Sequence, residues 1–136
     1  MDREALKKWI KVHEGYDNMP YICTAGKLTI GYGRNLQDNG ISHEEAEFML
    51  DNDIKRVEKE LLVYSWYKNS PSPVKDALMN MCFNMDLPRL LGFKRMIGYI
   101  DKRNFTMAAI EALDSRWAQQ VGQRAKDVAL MIREAK

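Results

Sequence analysis

Two cysteines in 136 residues are too few to staple a fold together. Cys23 and Cys82 stand far apart in the chain, and both are expected to be free thiols of a protein made in a reducing compartment. No apolar run approaches the roughly 20 residues that cross a bilayer, so stable membrane insertion is not expected. The opening Met1-Asp2-Arg3-Glu4 alternates charge and lacks the apolar core of a signal peptide, which predicts a chain without export of its own. Histidine is scarce too. Neither His13 nor His43 has a partner at metal-ligand spacing, so no metal or other cofactor is expected. A net charge of +2 is too small to argue for nucleic acid, and none is expected as a partner.

Charge is unevenly spread. Residues 1–63 hold nine Lys/Arg against twelve Asp/Glu, and residues 64–136 hold twelve against seven. A basic half suits an anionic polymer, but scattered basic residues fit an ordinary solvated surface equally well. Hydrophobic content of 46% and charged content of 29% are those of a globular protein, and the length is that of one ordinary domain.

Residues 2–13 read as a helix capped by Asp2, with Leu6, Trp9, Ile10 and His13 on one face and Gly15 as terminator. From Pro20 the period changes. Tyr21 to Cys23, a turn at Thr24-Ala25-Gly26, and Lys27 to Tyr32 predict a hairpin. Alternation along its second strand groups Leu28, Ile30 and Tyr32 on a small apolar face. Thr29, Gly31 and Gly33 share the opposite face, where two glycines leave room for a ligand. Asn35 to Gly40 is polar and turn-rich. Ser42 with Glu45 three residues later is a capping box opening a helix whose apolar stripe runs from Ala46 to Leu62. Ser70-Pro71-Ser72-Pro73 is a break, and helical periods follow over 74–85, 87–91, 93–101, 106–114 and 124–135. The predicted fold class is α+β within one domain over 1–136. An N-lobe at 14–41 carries the sheet, and helix 2–13 packs on an all-helical C-lobe at 64–136. A long helix at 42–62 links the lobes.

Glu14 ends the first helix, where the negative pole of the helix dipole predicts a raised pKa, the property a general acid needs. An exposed glutamate at a frayed helix end explains the same position. Cys23 beside a tight turn can act as a thiolate nucleophile or base, or be a small buried hydrophobe. Thr29 can orient a water or hold Cys23, or be an ordinary β-branched strand residue.

Together these residues resemble a known pattern. His13-Glu14-Gly15, eight residues to Cys23, five more to Thr29, then Ile30-Gly31-Tyr32-Gly33, are similar to the active-site region of the phage-type lysozymes (endolysins). The likeness continues through Asn80-Met81-Cys82-Phe83-Asn84-Met85, Gly92-Phe93, Ser115-Arg116-Trp117 and Arg124-Ala125-Lys126. It implies a lysozyme-like fold with the active site in a cleft between lobes. The implied activity is a muramidase cutting the β-1,4 bond between N-acetylmuramic acid and N-acetylglucosamine of peptidoglycan. Glu14 would be the general acid, Cys23 the second catalytic group and Thr29 the third. Gly33, Phe83, Asn84 and Arg124 would contact substrate. Such an enzyme works as a monomer, waits in the host cytoplasm, and needs a holin to reach the wall.

Two positions depart from the pattern. Many members have Asp where Cys23 stands, and histidine is frequent where Arg34 stands. With a thiol at the second position, both inverting and retaining routes remain open. Rival readings are a lytic transglycosylase, which needs only Glu14, a cysteine peptidase using Cys23, and a non-catalytic wall-binding domain. Cys82, about 200° round a helix from Asn84, is expected in the core and unable to pair with Cys23. Trp117 is expected to be mainly structural, and the mixed charges of the last helix argue against a membrane-disturbing role.

Overall fold

The computed structural model describes residues 1–135 and divides into two compact units, Met1–Phe48 and the chain from Met49 onward. Lys136, the last residue of the expected C-lobe, lies outside the described residues.

The first unit opens with helix α1 (Arg3–Glu14), where the Asp2 carboxylate accepts from the Ala5 N–H at 3.1 Å as the capping rule requires. Gly15, at φ 70°, ends it. An antiparallel sheet of three strands follows in the order β1 (Asp17–Ile22), β2 (Leu28–Gly31) and β3 (Arg34–Asn35). The expected hairpin is there, with Cys23 just past the end of β1 rather than within it. The β1–β2 ladder is irregular between Asp17 and Tyr21, and Pro20 supplies the cause. Proline has no N–H for a ladder bond and is tolerated only at sheet edges and bulges.

Alternation in β2 is as expected, and the face that turns inward is that of Thr29. Thr29 is only 3% exposed, while Leu28 is 39% exposed and Tyr32 lies beyond the strand. Alternation separates two faces without saying which turns inward. Here the central strand buries the side chain whose hydroxyl is satisfied locally, Thr29 donating to the Lys27 carbonyl at 2.8 Å. Asn35 was expected to open a turn. It caps a short helix instead, α2 (Leu36–Asn39), its side chain accepting from the Asp38 N–H at 3.0 Å.

Helix α3 (His43–Leu61) begins with the anticipated capping box. The Ser42 N–H donates to Glu45 Oε1 at 2.8 Å, and the Glu45 N–H donates to Ser42 Oγ at 3.1 Å.

The second unit is helical throughout its described residues. After α3 come α4 (Ser65–Lys68), α5 (Ser72–Met85), α6 (Leu87–Leu91), α7 (Lys94–Asp101), α8 (Phe105–Leu113), α9 (Arg116–Val121) and α10 (Gln123–Arg133). Helix α5 starts two residues ahead of its expected start at Val74, because proline fits the first turn of a helix and Pro73 stands there. Helices α4 and α9 are too short to show a stripe in sequence. Helix α9 opens on Ser115, whose hydroxyl accepts from the Ala118 N–H at 3.0 Å, a cap that sequence reading did not single out.

The hydrophobic core lies here, with Leu61, Leu78, Met81, Leu90 and Ile132 fully enclosed. Cys82 sits in it as expected and is free, as is Cys23. Trp117 is 2% exposed, meets Phe93 edge to face at 6.3 Å, and donates its indole N–H to Asn84 Oδ1 at 2.8 Å. The tryptophan is thus a core residue with one polar need. Asn84→Ala removes the acceptor for a buried donor and is expected to cost about 1–3 kcal/mol, read as a lower urea midpoint at unchanged slope.

Candidate active site

Within the first unit, two local arrangements hold the three expected catalytic side chains. In one, the carboxyl of Glu14 lies against the backbone of Gly33. A Cβ placed on Gly33 would stand 2.6 Å from Glu14 Oε2 and 2.8 Å from its Cδ, closer than real side chains come. Gly33 also holds φ at +75°, in the turn between β2 and β3, which favours glycine there, and any larger residue would push the flexible Glu14 carboxyl aside. Gly33 thus appears as the surface on which the carboxyl rests, ahead of any contact with substrate.

In the other, Cys23 opens the turn after β1, with Thr29 six residues on. The thiol pKa is held below its ordinary value near 9, chiefly by the Lys27 N–H, then by the Thr29 hydroxyl and the Ala25 N–H, with slight desolvation opposing. The turn is closed by the Cys23 N–H to Lys27 carbonyl bond at 2.9 Å and the Gly26 N–H to Cys23 carbonyl bond at 2.8 Å. Thr29 has one hydroxyl proton to give. In the structure the Lys27 carbonyl takes it, and in the thiolate state the sulfur competes for it. Cys82 is the opposite case, since burial pushes its thiol up to about 11.

The turn that carries Gly33 leads into a feature the sequence did not disclose. Arg34 grips both carboxylate oxygens of Glu45, at 2.9 and 2.6 Å, and donates to the Gly40 carbonyl at 3.1 Å. The Arg34 guanidinium, followed by the backbone N–H and the hydroxyl of Ser42, holds the Glu45 carboxyl down to about 2. A carboxyl depressed in the folded state stabilises above its unfolded value near 4.5. That contribution fades as pH falls toward 2.

In the second unit, Phe83 and Arg124 line one groove of about 540 Å³, with Leu50, Ile54, Met79 and Asn80. Arg124 is fixed by Asn80, its Nε–H donating to Oδ1 at 2.8 Å and a terminal N–H to the backbone carbonyl at 3.2 Å. Asn84, the fourth expected substrate contact, does not line this groove; its carbonyl oxygen is taken by Trp117. Asn80 is the residue the sequence reading passed over, although it lies one helical turn before Phe83 and Asn84 on the same face. Among the described residues, no three His, Cys, Asp or Glu side chains gather as metal ligands. No helix among them is long and apolar enough to cross a membrane.

A family model described as phage lysozyme matches residues 11–136. The chain belongs to the phage lysozyme family. Two relatives in Dictyostelium discoideum bear the names Probable T4-type lysozyme 2 and Probable T4-type lysozyme 1. The first is 27% identical, with 91% of each chain covered. The second is 29% identical, covering 94% of this chain and 93% of the relative. A mostly helical chain with a small three-stranded antiparallel sheet is the α+β fold of that family. At family level the phage lysozyme chain is a glycosidase acting on peptidoglycan.

Three outcomes follow from this geometry. Iodoacetamide should label Cys23 with a rate midpoint below pH 9 and leave native Cys82 untouched. Thr29→Val should move the Cys23 midpoint upward, as mass spectrometry of the labelled peptide reads directly. Gly33→Ala should displace the Glu14 carboxyl and lower kcat on wall fragments about 100-fold, the scale of a 1 Å misplacement.

Proposed function

We propose that this phage lysozyme hydrolyses the β-1,4 bond between N-acetylmuramic acid and N-acetylglucosamine and serves as an endolysin in host lysis. The observation that carries the reading is the carboxyl of Glu14 seated on Gly33, at the turn that ends the strand bearing Thr29. Glu14 gives its proton to the departing glycosidic oxygen. Water adds to the muramic acid C1, and its proton passes to the Cys23 thiolate, which Thr29 and the turn N–H groups favour. The Cys23 thiol then releases that proton to solvent and Glu14, now ionised, takes one up, which restores both groups and closes the cycle.

Phe83, Asn84 and Arg124 contribute to holding the glycan, Arg124 presenting a cation that Asn80 orients. The enzyme acts as a monomer. Its substrate lies beyond the host membrane, and a holin provides the passage.

The test is mass spectrometry of soluble fragments released from purified peptidoglycan. Fragments with a reducible muramic acid end, lost in Glu14→Gln by about 10²–10⁴-fold and lost after alkylation of Cys23, support the reading. Anhydro-muramic ends that persist after alkylation replace it with a lytic transglycosylase. Binding to sacculi without release of fragments replaces it with a wall-binding domain.

A further inference from the structure

We infer that Arg34, held by Glu45, is a positioning residue for Glu14. This rests on Glu14 being the acid of the proposed reaction. Gly31 at the end of β2 and Gly33 in the turn that follows both hold positive φ, and β3 is two residues long. Such a turn has little stiffness of its own. Yet the Glu14 carboxyl lies against its Gly33 backbone within van der Waals distance, so a small drift of the turn displaces the carboxyl.

Arg34 directly follows Gly33 and removes that freedom. Its guanidinium is tied at three points, to the Gly40 carbonyl and to both oxygens of Glu45. Glu45 is itself fixed, because it is the reciprocal partner of Ser42 in the capping box that starts α3. A continuous set of short bonds therefore runs from the first turn of a nineteen-residue helix to the peptide beneath Glu14. The same anchor serves β2, since Ile30 pairs with Arg34 and Thr29 with Asn35. One ion pair thus positions the residues on which the acid rests and the strand that carries Thr29.

The chemistry of the pair suits this task. A planar guanidinium engages both carboxylate oxygens and fixes an angle, which a lysine ammonium cannot do. Among the described residues, Glu45 is the sole acidic group within 4.0 Å of Arg34 nitrogens. The neighbouring charges Lys27 and Asp38 face each other at 3.3 Å. Arg34 stays charged at every pH at which the wall is cut. A histidine in its place loses its charge as pH rises through about 6.5.

The experiment compares wild type with Arg34→His, Arg34→Lys and Glu45→Gln, for kcat and KM on soluble glycan between pH 5 and 8. Arg34→His is expected to show a new loss of kcat, several-fold, as pH rises through about 6.5, with KM unchanged. Arg34→Lys is expected to lower kcat at every pH. Folded variants that keep the wild-type kcat and pH profile overturn the proposal. Where Arg34→His does not fold, Glu45→Gln decides alone. It keeps an acceptor for the cap but loses the charge, and an unchanged kcat overturns the proposal while a fall in kcat at constant KM supports it.

If wild type cuts no wall, the lysozyme reading has failed by itself. Positioning is then read from the NMR titration of the Glu14 side-chain carboxyl carbon. A curve displaced in Arg34→Lys supports the proposal, and a superimposable one overturns it.

Discussion

A carboxyl group can rest on a peptide backbone only where no Cβ pushes it away, and the contact between Glu14 and Gly33 imposes that condition on the first unit. Helix α1 must end at Glu14, so that the side chain leaves the helix where Gly15 turns the chain. The β2–β3 turn must adopt a backbone conformation that L-residues avoid. Something must also hold that turn still, because glycine does not. The sheet is too small to do so by itself, with a last strand of two residues. The polar clasp of Arg34 and Glu45 makes up the difference.

The two cysteines show how environment divides one chemistry into two behaviours. Cys23 is surrounded by turn N–H groups and a hydroxyl, all of which favour the anion. Cys82 is packed among aliphatic side chains that disfavour it. Nothing in the composition separates them. Their neighbours in the fold do, and for Cys23 every one of those neighbours comes from the seven residues 23–29.

That locality explains what was legible in the sequence. The Asp2 cap, the Ser42–Glu45 box and the hairpin each depend on residues a few positions apart, so spacing alone announces them. Glu14, Cys23 and Thr29 were found through a pattern of spacing that coincides with such local structure. The Arg34–Glu45 pair was not, because it joins residues eleven apart across α2. Nor was the bond from the Trp117 indole to Asn84, which joins residues thirty-three apart on two different helices. The burial of Thr29 was not legible for a different reason, because alternation separates two faces without saying which turns inward.

Pro20 has a consequence at the level of many molecules rather than one. A sheet whose outer strand is regular offers a row of unpaired N–H and C=O groups to any other extended chain. β1 is an outer strand of this sheet, but its pairing is irregular between Asp17 and Tyr21, and Pro20 contributes no donor. An approaching strand would find the register broken halfway along. The irregularity that weakens its own ladder also makes β1 a poorer template for another strand.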